Sequence, residues 1–295
     1  MTTSNVYKVL RWGTLLTSCL LFLSCAAIKP SSPESRIALV VGNADYKVVS
    51  LLNNPVNDAK GMSKALSELD FEVIYEENAN KQTMETAIKD FETRLKEEHQ
   101  QGKKTVGLFY YSGHGAQDGD ENFLLPVDLK TSPDSPKTLL ESETVALSSV
   151  LDSMEDAETT MNIVILDACR NKPNNLMLVD ASGNTKSIAK GLAWVNDNSF
   201  SNTPAPQGSL IAYATSPNHV AYDDGKDNNS PYTKHLLKHI YDENVTIGEL
   251  FINVRNAVIE ETEGRQIPWE RSSLKKRFYF AEIELKQRGI ADGFW

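Results

Sequence analysis

The sequence predicts an α/β protein: a mostly parallel sheet with helices packed on both faces. Three observations predict it. Short runs of branched apolar residues recur along the chain, as in strands buried on both sides. Between them lie segments whose apolar residues recur at helical spacing, and that alternation implies right-handed βαβ units. Two of the apolar runs also end abruptly in polar residues, Ser112-Gly113-His114-Gly115 and Asp167-Ala168-Cys169-Arg170. The crevice beyond the carboxyl ends of the strands is where open α/β sheets hold their ligands.

The elements follow in order. Arg36–Gly42 (RIALVVG) reads as a first buried strand, followed by a loop from Asn43 to Asn57. Asn57 or Asp58 can cap the next helix, whose inward face carries Ala59, Met62, Leu66 and Leu69. Phe71–Tyr75 is a second strand, and Met84, Ile88, Phe91 and Leu95 mark a second helix with a charged outer face. Thr105–Tyr111 is a strand leading to His114, and Val145 to Met154 suggests a helix leading into the strand Ile163–Leu166. Arg170–Gln207 is the longest poorly patterned stretch. Ser209–Thr215 reads as a fifth strand, Tyr232–Ile240 and Ile247–Glu261 as helices, and Ser272–Phe280 as a last strand with Phe278 and Phe280 on one side.

The chain has 295 residues, enough for one large domain or two small ones; 40% apolar and 24% charged residues place it among globular proteins. A formal net charge of −10 argues against nucleic acid or anionic lipid as a partner. At the N-terminus, Lys8 and Arg11 precede the apolar stretch Trp12–Leu23, which ends in Ser24-Cys25-Ala26. A charged region, an apolar region and small residues at a cleavage point form a secretory leader. Leu23-Ser24-Cys25 resembles a bacterial lipoprotein box, in which the cysteine is lipidated; Leu16-Thr17-Ser18-Cys19 is the rival box. The expectation is a signal peptide over 1–24, a lipidated Cys25 and tether over 25–35, and attachment to the bacterial cell envelope on the periplasmic side of the outer membrane, or else secretion.

Of the three cysteines, Cys19 and Cys25 fall in or at the end of that leader, so the mature domain keeps Cys169 alone. With no partner it cannot form an intrachain disulfide, and a single thiolate is a poor basis for a structural zinc site. It is then a buried inert thiol or a reactive one. His114 lies past another strand end; if the two strands are neighbours, imidazole and thiol meet above the sheet as nucleophile and base.

The two motifs are 55 positions apart (169 − 114). In caspases the histidine lies about 50 residues upstream of the cysteine. Tyr-Ser-Gly-His-Gly and Leu-Asp-Ala-Cys-Arg-Asn resemble the dyad of caspase-like cysteine peptidases of the metacaspase, paracaspase and bacterial orthocaspase type. The segments Ala214–Pro217, Asn229–Thr233 and Gln266–Glu270 share the resemblance, which covers about Arg36 to Phe280. It implies a caspase-like three-layer α/β/α sandwich on a six-stranded, mostly parallel sheet. It divides the chain into a large part (36–172), a processing-type loop (173–207) holding Lys186 and Lys190, with Lys172 just before it, a small part (208–280), and a tail (281–295). Self-cleavage at those lysines is an open expectation.

The resemblance also implies roles. Cys169 attacks the scissile carbonyl, His114 handles the protons, and the backbone N–H groups of Gly115 and Cys169 hold the oxyanion. Asp58 and Asp167 match the acidic residues that line the S1 pocket in metacaspase-like and paracaspase-like peptidases. That implies a protein or peptide substrate with Arg or Lys at P1. Asp58 also suits a helix N-cap, and Asp167 an ion pair with a neighbour such as Arg170. Asp223 is a further candidate for the pocket, and Ser216 for pairing with the substrate backbone. No cofactor is required. Calcium is an alternative at Asp118, Asp120 and Glu121, or at Asp223, Asp224 and Asp227, clusters that also read as solvated loops. Two other readings stay open: a catalytically silent caspase-fold binding module, and a legumain-like or clostripain-like branch of the same clan. The residues leave the oligomeric state open, and the resemblance to acidic-pocket relatives leans to a monomer.

Overall fold

The computed structural model describes residues 34–118, 121–130, 136–168, 177–179, 185–187, 208–216, 221 and 228–282. The expected leader with Cys19 and Cys25, and also Cys169, Arg170, Lys172, Lys190 and Asp223, lie outside the described residues.

A six-stranded sheet forms the centre. Its strands are β1 (Glu34–Gly42), β2 (Phe71–Glu77), β3 (Lys104–Ser112), β7 (Met161–Asp167), β10 (Ser209–Tyr213) and β11 (Trp269–Ser272). They lie side by side in the order β11-β10-β7-β3-β1-β2. All neighbours are parallel except β10 and β11. The expected three-layer sandwich on a six-stranded, mostly parallel sheet is the architecture of this chain. β1 begins at Glu34, two residues ahead of the expected boundary.

Alternation along each strand builds the layers, because successive side chains leave a strand on opposite faces. Ala38 and Val40 of β1, Leu108 and Tyr110 of β3, Ile163 and Ile165 of β7, and Leu210 and Ala212 of β10 enter one core. Helices α1 (Pro55–Glu68), α5 (Pro231–His239) and α6 (Ile247–Glu261) supply Met62, Leu66, Leu236, Leu250 and Val254 to it. The intervening residues Leu39, Phe109, Tyr111, Val164 and Leu166 point to the other face. There they pack with Met84, Phe91 and Leu95 of α2 (Lys81–Gln100) and Val150 and Met154 of α4 (Leu147–Asp156). The strand runs read as continuously apolar because both faces are covered.

Several elements depart from the sequence reading. A short antiparallel sheet of β4 (Gly115–Asp118), β5 (Glu121–Leu124) and β6 (Val145–Ala146) follows His114. Its apolar side, with the helix α3 (Pro136–Glu143), forms a third cluster containing Tyr46, Phe123, Leu125 and Leu140. The long stretch read as unpatterned holds an antiparallel pair, β8 (Met177–Val179) and β9 (Thr185–Ser187), with Lys186 opposite Leu178.

The expected last strand over Ser272–Phe280 is a correction. The sixth strand is β11, antiparallel to β10, and it ends where the expected one began. Phe278 and Phe280 are both buried, but their segment crosses the sheet's far end: Ile247 N–H donates to Phe278 O at 2.8 Å and Asn244 N–H to Ala281 O at 2.9 Å. Arg36 clamps it, donating to the carbonyls of Tyr279 at 3.2 Å and Phe280 at 2.9 Å, with its guanidinium over the Phe278 ring. Alternating burial reports which side chains are covered, not which backbone is the hydrogen-bond partner.

Helix α1 sits on the end of β1 with no room between them. A Cβ on Gly42 would lie 2.4 Å from Pro55 O and 2.6 Å from Ala59 Cβ. That approach lays the first turn of α1, with Asp58, across the carboxyl edge of the sheet. Gly42→Ala is therefore expected to lower unfolding stability by about 1–3 kcal/mol. An unchanged urea midpoint and slope would contradict this packing.

Candidate active site

The carboxyl ends of three adjacent strands finish level. Gly42 of β1 pairs with Ser112 of β3, and Ser112 pairs with Asp167 of β7. The chain leaves each strand into a different site loop: Asn43 N–H donates to Ser112 O at 2.9 Å and Gly113 N–H to Asp167 O at 3.2 Å. Parallel pairing thus brings His114 within two residues of the Asp167 register although they are distant in sequence.

Asp58 and Asp167 are both buried, at 1% and 5% exposure, and a single serine joins them. Ser230 N–H donates to Asp58 Oδ1 at 3.0 Å, while Ser230 Oγ donates to Asp167 Oδ2. Asn229 Nδ2 donates to the same Asp58 oxygen at 2.9 Å, and Ser112 Oγ donates to Oδ2 at 3.2 Å. Thr233 Oγ1 donates to Asp167 Oδ2 at 2.7 Å and lies 2.5 Å from the Tyr110 hydroxyl. Ser230 can serve both acids because it is also the N-cap of α5: its Oγ accepts from Thr233 N–H at 3.0 Å and keeps its own proton for Asp167.

Two carboxyl groups held this close out of water oppose each other's ionisation. Burial first, and the Asp167 charge second, push Asp58 up to about 8, against the pull of its hydrogen-bond donors. The same negative field, after burial, raises Tyr110. Among the described residues no Lys or Arg forms an ion pair with Asp58. A cavity of about 30 Å³ lies against the pair, lined by Leu52, Pro55, Asp58, His114, Ala168 and Ser230 among others.

His114 stands at the rim of this cavity, buried to 7% exposure. Its Nε2 lies 2.8 Å from Ser50 O and 3.3 Å from Ser50 Oγ. A carbonyl only accepts, so Nε2 carries a proton, and in the neutral ring Nδ1 is the acceptor. Burial lowers the imidazole pKa, with the Ser50 carbonyl opposing that shift. The Tyr46 ring packs on the imidazole with centroids 4.7 Å apart.

The structure thus brings together His114, Asp58, Asp167 and Gly115. The reading of Asp58 or Asn57 as the helix cap is corrected: α1 starts at Pro55 after Asn54, so both lie inside the first turn, and the Asp58 carboxylate turns to Ser230, Asn229 and Ser112. Ser216 lies three residues past β10 and is partly exposed. Cys169 follows Ala168, which lines the cavity, but is itself outside the described residues, as are Asp223 and the Arg170 weighed as an ion-pair partner for Asp167. Of the acids weighed for calcium, Asp120, Asp223, Asp224 and Asp227 are outside too. Among the described residues no group of three or more His, Cys, Asp or Glu is placed to hold a metal ion. Sequence reading missed the roles of Ser230, Ser112, Thr233, Ser50 and Tyr46. Ser230 carried a local signal, as a serine before Pro231 at a helix start, while Ser112 and Thr233 lay within the motifs Ser112–Gly115 and Asn229–Thr233.

The comparisons with known proteins agree with this architecture. Human mucosa-associated lymphoid tissue lymphoma translocation protein 1 is 28% identical over 163 residues, 54% of this chain and 18% of the human protein. Mouse caspase-4 is 23% identical over 273 residues, 85% of this chain and 66% of caspase-4. Rat caspase-1 is 22% identical over 256 residues, 85% of this chain and 61% of that protein. The chain spans less than two thirds of each relative's own length. The profile of the caspase domain family (peptidase C14) matches residues 35–279, which take in the central sheet, both carboxylates and the His114 loop. The chain belongs to the caspase-domain family of cysteine peptidases.

Proposed function

We propose that this protein is an endopeptidase that cuts protein chains after Arg or Lys, with Cys169 as nucleophile and His114 as its proton carrier. The observation that carries the reading is the buried pair Asp58 and Asp167, joined through Ser230 and facing a cavity at whose rim His114 stands. Two carboxyl groups kept from water repel each other and gain most from a cation between them. A guanidinium has a planar set of donors suited to two acceptors, and an ammonium supplies the charge alone.

The chemistry runs in two halves. The Cys169 thiol gives its proton to His114, and the sulfur bonds to the scissile carbonyl carbon. The resulting oxyanion is held by the N–H groups of Gly115 and Cys169. His114 then protonates the leaving amine as the C–N bond breaks. Water, losing its proton to His114, hydrolyses the thioester and releases the acid and the thiol. The Nε2 bond to Ser50 O supports this assignment, since it leaves Nδ1 as the nitrogen available to take a proton.

A panel of fluorogenic peptides with Arg, Lys, Asn or Asp at P1, incubated with the purified full-length protein, tests the reading. Cleavage after Arg and Lys that vanishes in Cys169→Ala is expected. Cleavage after Asn or Asp alone would remove the acidic pocket, and no cleavage of any peptide by folded protein would favour a silent binding module.

Cation binding should also depend on pH through the pocket. Asp58 is raised to about 8, so below that value the empty site holds a proton that an entering cation has to displace. The affinity for benzamidine, a cation with no bond to cut, is therefore expected to rise from pH 6 to pH 8 and level off above. Well below the pKa the rise approaches about tenfold per pH unit, one proton being released. Asp58→Asn should abolish this rise and weaken binding at pH 8.5 by roughly 2 kcal/mol or more. A flat profile in the unmodified protein would contradict the assignment.

A further inference from the structure

The backbone of His114 is held by a ring of hydrogen bonds that the reaction itself does not use. His114 N–H donates to the Tyr46 hydroxyl at 2.8 Å. The Tyr46 and Tyr111 hydroxyls are 3.2 Å apart, and Tyr111 O–H donates to His114 O at 2.7 Å. An N–H only donates and a carbonyl only accepts, so the ring can run one way. It passes from His114 N–H to Tyr46, from Tyr46 O–H to Tyr111, and from Tyr111 O–H back to the His114 carbonyl. The competing acceptor, Leu125 O, lies farther from Tyr111 at 3.1 Å and from Tyr46 at 3.4 Å. It already receives Asn43 Nδ2 at 3.0 Å. Both tyrosines are buried and remain protonated.

The ring has two outputs. Leu125 N–H donates to His114 O at 3.1 Å, so residues 114 and 125 face each other as a hydrogen-bonding pair, with the Tyr46 hydroxyl taking the bond that His114 N–H would otherwise make to β5. The next pair, Gly115 and Leu124, is then the non-hydrogen-bonded kind, which leaves Gly115 N–H directed away from β5. The His114 carbonyl and Gly115 N–H belong to one planar peptide and point in opposite directions. Fixing the carbonyl therefore fixes the N–H. The second output is the imidazole, which rests on the Tyr46 ring and donates to Ser50, four residues beyond Tyr46. Gly113 makes room for the arrangement: a Cβ there would lie 2.7 Å from both hydroxyls.

We propose that the hydroxyls of Tyr46 and Tyr111 are positioning groups that set the His114 imidazole and the Gly115 oxyanion donor together. This rests on the peptidase reading above, in which those two groups act on the scissile carbonyl. Tyr46→Phe and Tyr111→Phe keep the packed rings and delete one oxygen each, and thermal melting identifies the folded variants to compare. Each is expected to lower kcat by about tenfold to hundredfold, the scale of a small misplacement of reacting groups, with KM nearly unchanged. In ¹⁵N-histidine spectra, Tyr46→Phe is expected to erode the Nε2–H tautomer and to shift the His114 titration further down, because the retained ring keeps the imidazole buried while the Ser50 bond that raises its pKa is loosened. Wild-type kcat in both variants, or an unchanged His114 spectrum in Tyr46→Phe, overturns the proposal. If the unmodified protein cuts no peptide, the peptidase reading falls by itself, and the spectrum still decides whether Tyr46 positions His114: a shifted titration upholds it and an unchanged one removes it.

Discussion

Two carboxyl groups share one serine at the carboxyl edge of the sheet, and the surrounding architecture is what makes that arrangement tolerable. Asp58 comes from the first turn of α1, Asp167 from the last residue of β7 and Ser230 from the cap of α5. No two of these are near in sequence. Each is held by a constraint that has nothing to do with the others: the close seat of α1 on Gly42, the level ends of the parallel strands, and the start of a helix at Pro231. Burial of two like charges is unfavourable on its own. The donors Asn229, Ser112 and Thr233 offset part of that cost, and the raised pKa of Asp58 records the part that remains. A binding site for a cation is a place where such a remainder is relieved by the guest.

The other half of the site is built on different principles. His114 carries no charge partner among its described contacts; backbone and hydroxyl groups orient it. Burial disfavours the charged ring, and the Ser50 carbonyl selects which nitrogen holds the proton of the neutral form. The result is an imidazole with Nδ1 as its acceptor nitrogen beside the buried Asp58 and Asp167 pair, oriented by groups other than those that hold the two acids. The short β4–β5 sheet takes part in this division, because its register decides that Gly115 N–H is left free of the β5 ladder.

Much of this was legible in the sequence, for identifiable reasons. Strands covered on both faces are uniformly apolar, so β1, β3, β7 and β10 stood out, and their abrupt ends pointed to His114 and Asp167. What could not be read falls into two kinds. Edge strand β11, Trp-Glu-Arg-Ser, is only partly buried and carries no apolar pattern, while the alternation of Phe278 and Phe280 belongs to a segment that crosses the sheet's far end. The second kind is atomic: a backbone carbonyl such as that of Ser50 leaves no mark on residue identity. Tyr46 and Tyr111 likewise read as ordinary buried aromatics, since their hydroxyls matter only through the groups the fold brings to them.

The most direct measurement is a crystal structure of the protein after reaction with a peptidyl-arginine aldehyde. The expected result has the guanidinium within hydrogen-bond distance of both Asp58 and Asp167. It also has a covalent bond from Cys169 to the aldehyde carbon, with the new oxygen facing Gly115 N–H. A ligand whose arginine lies in solvent, with the two carboxyl groups still bridged by Ser230, would contradict the account at its centre.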